Sequence, residues 1–231
     1  MAETFGEALS LLGRLDPAVL SIVWLSFRVS LTAVCIGAAI GLPLGAWVAV
    51  ATFPGRGVIA VLLNGMMGVP SVIVGVIVYL LLSRSGPFGP MGLLYSPTAM
   101  VIAQTILVVP LVAALTRQIV EDAWRDYAIE LRSLRFSMRQ SITTLLYDCR
   151  FSLVVALLAG LGRAMSEVGA VMIVGGNIEG FTRVMTTAIA LETAKGDLSL
   201  SLALGIVLIS VVLMLNGGAY ALRHWAMRRY G

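Results

Sequence analysis

The chain has 231 residues, 59% of them hydrophobic and only 12% charged, which excludes an ordinary soluble domain, where about a quarter of residues are charged. Its net charge of +4 reads as membrane topology before it reads as affinity for nucleic acid, because basic residues of membrane proteins collect on the inner side. Two cysteines and one histidine offer neither metal-ligand spacing nor a disulfide framework, so Cys35 and Cys149 read as packing residues and His224 as solvated.

Apolar runs of about 20 residues cross a bilayer as helix. Five are expected, near 27–51, 58–82, 97–116, 151–174 and 199–222, giving an all-α integral membrane protein with one transmembrane domain over 1–231. Short alternating strands of the barrel type are absent from the pattern. No basic start with a short apolar run and cleavage site opens the chain, so no cleaved signal peptide is expected.

Residues 1–16 are polar and mildly acidic. Pro17 to Phe27 reads as an amphipathic lead-in that lets Arg28 reach the outer headgroups. Pro43, between Gly41 and Gly45, should kink the first span. The run Phe53-Pro54-Gly55-Arg56-Gly57 marks a tight inner turn. Asn64, Gly65 and Gly68 precede Pro70 and Ser71, at either a packing kink or a bend beside a translocation path. Residues 83–97 are too rich in Gly and Pro for regular structure. The third span, with Gln104 and Pro110, then leads inward.

The one long polar segment, 117–150, carries Arg117, Arg125, Arg132, Arg135, Arg139 and Arg150 among Glu121, Asp122, Asp126, Glu130 and Asp148. With the amino terminus outside and the carboxyl terminus inside, ten basic residues fall on inner segments and four on outer ones, the expected bias. Acids early and arginines late suit a helix from Glu121 to about Arg135, and Ala123, Tyr127, Leu131 and Leu134 form an apolar stripe along it. Ser137 is a plausible cap for a second short helix through Met138, Ile142 and Leu146. Two helices meeting at Leu134 to Ser137 would project an apolar knob ringed by arginines, a docking platform for a soluble partner.

In the fourth span Arg163 and Glu167 stand four residues apart, on one helical face. Each costs about 2.5–3.5 kcal/mol facing lipid, so both should face protein or water. Gly175, Gly176 and Asn177 signal a turn. Thr182 then reads as the cap of an outer or re-entrant helix that stops at Lys195 and Gly196, with Thr182, Thr186 and Thr187 clustering hydroxyls near its start. The last span ends in a basic tail, Arg223 to Arg229. No Walker sequence, dinucleotide fingerprint, metal motif or nucleophile elbow is present. The chain is therefore read as non-catalytic, driven by an ion gradient or by another subunit.

These residues resemble a known family. Ala128-Ile129-Glu130-Leu131-Arg132-Ser133-Leu134-Arg135 resembles the coupling loop of binding-protein-dependent ABC importer permeases. Arg135 stands where that loop has a glycine, and Asp148 where it has a proline. Gly162-Arg163-Ala164-Met165-Ser166-Glu167-Val168-Gly169-Ala170, then Gly175-Gly176-Asn177-Ile178 and the threonine-rich helix, resemble the molybdate and tungstate branch, most of all its tungstate permeases. The resemblance implies a homodimer in a prokaryotic cytoplasmic membrane, with two ATPases below and an oxyanion-binding protein outside. ATP and Mg would bind the ATPase, so this chain needs no cofactor.

The resemblance assigns ATPase coupling to Glu130, Leu131, Arg132, Leu134, Arg135, Phe136 and Ser137. Arg135 would face the rim of the ATPase cleft or an acid on this chain's own inner surface. Gate and pathway roles fall to Pro70, Ser71, Arg163, Ser166, Glu167, Gly169, Asn177, Thr182, Thr186 and Thr187. An ionised Glu167 repels a dianion, so it should pair with Arg163 or pack in the gate, leaving Ser166 and the threonine hydroxyls nearer the path. Tungstate is the first expected passenger and molybdate the next. An ion-gradient secondary transporter lacks the usual internal repeats here, and a membrane scaffold has no need of the insert, the kinked spans and the intramembrane charges together.

Overall fold

The structure is a computed structural model that describes residues 17–230, Glu7 and Ser10, without the side chains of Ala226, Arg229 and Tyr230. Most of the polar segment 1–16, including Arg14, thus lies outside the described residues. The described residues form α1 (Pro17–Val50), α2 (Arg56–Met67), α3 (Ser71–Leu82), a 3-10 turn (Gly89–Met91), α4 (Pro97–Ser133), α5 (Met138–Asp148), α6 (Arg150–Met165), α7 (Gly169–Gly175), α8 (Met185–Lys195) and α9 (Leu198–Tyr230). Three helices are long and apolar enough to cross a membrane, or up to five if each bent pair is one span.

The bent pairs show how the chain departs from straight spans. α2 and α3 meet at 97°, and α5 and α6 at 73°. Pro70 is the N-cap of α3, where its ring fits and its missing N–H costs nothing, so the expected kink is a full helix break. The lead-in over 17–27 is not a separate element, because α1 runs unbroken from Pro17 through Pro43 to Val50. Likewise, the first helix of the charged insert continues the third span, since α4 runs to Ser133. Polarity changes near Arg117, but between Leu111 and Ser133 no Gly or Pro interrupts the backbone.

The chain divides into two compact units. One comprises residues 34–69, 105–161 and 215–231. Here α1 and α4 approach closely along Gly37, Gly41 and Gly45: a Cβ on Gly37 would lie 2.6 Å from Val108 Cγ1, and one on Gly41 2.9 Å from Val112 Cβ. Small residues at four-residue spacing let two membrane helices pack backbone to backbone. Below this seam Ala46, Ala49, Val50, Val120, Leu131 and Leu145 form a buried cluster, flanked by Ala123, Trp124, Ile142 and Leu146.

Arg56 fastens the end of α1 in this unit. Its Nε donates to Val48 O and its Nη2 to Ala49 O, both at 2.8 Å, so the guanidinium caps carbonyls that a helix C-terminus leaves open. The same Nη2 reaches Glu121 Oε1 at 3.1 Å, while Arg117 Nη1 holds Glu121 Oε2 at 2.5 Å. Glu121 is therefore a mid-helix joint between α1 and α4. Its place near the start of a separate helix, expected from the charge pattern, does not arise because α4 has already run from Pro97 for about six and a half turns there.

The other unit comprises residues 1–33, 70–104 and 162–214. α3 packs on α7 so closely that a Cβ on Gly75 would lie 2.8 Å from Ala170 Cα. Val78, Met100, Val171, Val174, Met185 and Leu204 are fully buried there.

Candidate functional site

The corner between α4 and α5 is shaped by backbone chemistry. After Ser133, Phe136 N donates to Leu131 O and Arg135 N to Arg132 O, each at 3.0 Å, the paired bonds of a Schellman cap. The residue at its left-handed position is Arg135, with φ +55°. Glycine is the usual occupant because a Cβ crowds the following carbonyl there, and this is the position at which the resembled loop carries glycine. Ser137 then starts α5 with a capping box: its N donates to Gln140 Oε1 at 2.8 Å and its Oγ accepts from Gln140 N at 3.3 Å.

This corner divides the apolar stripe in two. Leu131 is buried with Leu145 against α1, which anchors the corner. Leu134 (65% exposed), Ile129 (81%), Phe136, Met138 and Tyr127 face outward. Glu130 is exposed, and Arg132 lies over the Trp124 ring at 5.6 Å. Arg135 makes no ion pair among the described residues, so of its two expected neighbours, the cleft rim of the ATPase or an acid on the chain's own surface, the second is not found. Ile129 and Met138 join the exposed knob without having been assigned to it from the sequence, although bulky apolar residues inside a charged segment are themselves a docking signal.

In the other unit Arg163 and Glu167 do not share a face. α6 ends at Met165, so the four-residue helical register between them is broken before Glu167. Arg163 is exposed and has no ion-pair partner among the described residues. Glu167 is 5% exposed. Its Oε1 accepts from Ala170 N at 3.2 Å, in the first turn of α7, and its backbone O accepts from Thr186 Oγ1 at 2.7 Å. The carboxylate thus serves as a buried latch, so of the two arrangements expected for Glu167 it packs and does not pair with Arg163.

The hydroxyls expected near the path are engaged by the backbone. Thr182 Oγ1 donates to Gly175 O at 2.6 Å and accepts from Ile178 N at 2.9 Å; it closes the 175–182 turn, while α8 begins three residues later at Met185. Thr187 Oγ1 accepts from Val184 N at 3.1 Å. Asn177, at φ +50°, donates from Nδ2 to Thr187 O at 3.2 Å. Gly169 packs on α3, where a Cβ would meet Ser71 Oγ at 3.2 Å. Of the expected gate residues, Pro70, Arg163 and Ser166 are exposed.

Two polar residues of the spans join this latch. Ser26 Oγ on α1 accepts from Met185 N at 2.8 Å, and Gln104 Nε2 on α4 donates to Ala164 O at 2.9 Å. Ser26, Ser30, Gln104, Glu167 and Thr186 line a void of about 10 Å³, the scale of one water position. Gln104 Oε1 is buried without a protein partner. An amide and two serines within otherwise apolar spans were the available signal for these contacts.

No family model matches the chain. It is 42% identical over 223 residues to the tungstate uptake system permease protein TupB of Peptoclostridium acidaminophilum, covering 96% of this chain and 98% of that one. A probable anion ABC transporter permease protein of Haloferax volcanii is 41% identical over 207 residues, 86% of this chain and 88% of its own. The sulfate transport system permease protein CysW of Escherichia coli stands at 28% over 179 residues, 72% and 60% of the two chains.

Proposed function

We infer the function from one premise: this chain belongs to the family of ABC transporter permeases that includes the tungstate uptake permeases. As a permease subunit it is multi-pass and non-catalytic, and ATP hydrolysis belongs to a separate subunit of the system. Beyond that premise, the passenger is a tetrahedral oxyanion, tungstate first and molybdate next. The identity to TupB, higher than that to the sulfate permease, supports tungstate as this choice. Two copies of the chain form the path in a prokaryotic inner membrane, with amino termini outside, and an external binding protein delivers the anion.

The observation that carries this reading is the α4–α5 corner. Its inner side is anchored by Leu131 and Leu145, while Leu134, Phe136 and Ile129 stand out in solvent. Apolar side chains are held outward on a rigid turn only at a cost in water, which a cleft in the ATPase removes. Glu130, Arg132, Arg135 and Ser137 surround and shape that knob, so closure of the ATPases moves it as a rigid body. Substituting Leu134→Asp or Phe136→Asp is expected to abolish co-purification with the ATPase; undiminished association would remove the basis for this assignment.

Arg163 supports the two-copy path. An exposed guanidinium on a membrane helix costs about 2.5–3.5 kcal/mol against lipid, so its free face belongs on water or on a second copy. Arg163 and Ser166 are the anion-facing groups, and Pro70 and Ser71, at the start of α3 against Gly169, belong to the same gate. Glu167, Gly169, Asn177, Thr182, Thr186 and Thr187 hold the gate's backbone in shape.

A further inference from the structure

A second site lies at the carboxyl end of the chain, within one unit. Ile119 of α4, Phe151, Ser152 and Val155 of α6, and Arg223 and Met227 of α9 enclose a cavity of about 430 Å³, within the usual size of ligand pockets. Four of its walls are apolar and one is a guanidinium. Arg223 is exposed and has no ion pair among the described residues. Behind the Phe151 wall, Arg150 places its Cζ 4.6 Å from the centre of the Phe151 ring, and its Nη1 donates to Tyr147 O at 2.8 Å. The Trp225 ring lies edge-on to Phe151 at 5.5 Å between centres.

These features share one chemistry. No carboxylate lines the cavity, and the last twelve residues contain three arginines and no acid. The helix that carries Arg223 is largely unburied along its apolar length, so the cavity opens toward the hydrocarbon. Tryptophan beside arginine marks the headgroup level. A basic pocket between helices at that level on the inner side is suited to an anionic headgroup, with the acyl chains along the apolar walls.

We propose that this cavity binds one anionic phospholipid of the inner leaflet, its phosphate on Arg223 and its acyl chain against Ile119, Val155, Phe151 and Met227. The proposal rests on the permease reading only in placing the carboxyl end inside. Since α6 directly follows α5, the lipid also steadies the root of the coupling corner.

The test uses the full chain with Trp24, Trp47 and Trp124 replaced by Phe, leaving Trp225 as the reporter, in vesicles of phosphatidylcholine and phosphatidylglycerol. In one set the phosphatidylglycerol carries brominated acyl chains, in the other the phosphatidylcholine does. Brominated phosphatidylglycerol is expected to quench Trp225 severalfold more effectively at equal mole fraction. Arg223→Gln should lower that preference about fivefold, the equivalent of one basic contact at a membrane surface, and Arg223→Lys should largely restore it. Equal quenching by the two lipids, or no quenching because a second copy covers the cavity, would overturn the proposal, as would displacement by millimolar inorganic phosphate. Transport is not read, so a failed tungstate assay leaves this result standing.

Discussion

The residue at the coupling corner most open to a quantitative test is Arg135. Its φ of +55° places a Cβ in the left-handed region, at about 1–2 kcal/mol. Replacement by Gly removes that strain but returns about 0.5–1 kcal/mol through the greater freedom of the unfolded chain. Arg135→Gly should thus be neutral to mildly stabilising, and Arg135→Asn close to it. Arg135→Val adds β-branching at the same φ and should be worst, with a Gly-to-Val gap of about 2 kcal/mol. For a chain of this size that gap is about 4–8 °C in Tm, readable by thermal unfolding of the purified protein in detergent. If Val and Gly variants melt together, the Schellman geometry assigned to this corner is wrong.

Further outcomes follow from the buried contacts. Glu121→Gln should cost about 1–3 kcal/mol by leaving Arg56 and Arg117 without their shared carboxylate, whereas Asp122→Asn, exposed one residue later, should stay within about 0.5 kcal/mol; denaturation of the two variants compares them. Glu167→Gln keeps an acceptor for Ala170 N and should unfold like the parent, while Glu167→Ala loses the latch and about 1–2 kcal/mol, measured in the same way. Burial, and after it the charge of Asp148, pushes the Cys149 thiol up. In a Cys35→Ser background the thiol should therefore react with maleimide more slowly at pH 7 than after denaturation, and faster as the pH rises.

Turn chemistry was the most legible part of the sequence. Of the expected turn at Gly175, Gly176 and Asn177, the last two adopt positive φ while Gly175 ends α7; Gly196 stops α8 in the left-handed region, and Ser137 caps α5. These signals are local, each fixed by one residue's own sterics or hydrogen-bonding reach. Boundaries drawn where hydropathy changes were less reliable, because a helix continues until its backbone is interrupted. α4 therefore passes from apolar to charged sequence near Arg117 without a break.

The candidate site was legible in its exposed half. Leu134 and Phe136 could be read as a knob because apolar residues stand out in a charged segment. The roles of Glu167 and the threonines depend on where α6 stops, and on a turn that brings Thr186 back to Glu167 across 19 residues. No periodicity within one helix encodes such a contact. Arg135 was visible as a departure from the resembled motif, but its meaning required the backbone angle.

The most direct measurement is ATP-driven uptake of tungstate into vesicles holding this chain with its ATPase and binding protein, compared with the same vesicles carrying Leu134→Asp. A coupling role for the α4–α5 corner predicts tungstate accumulation that needs ATP on the ATPase side, prefers tungstate over sulfate, and falls to the no-ATP level in the variant while the chain stays folded. Accumulation that proceeds without the ATPase, or that Leu134→Asp leaves intact, would contradict it.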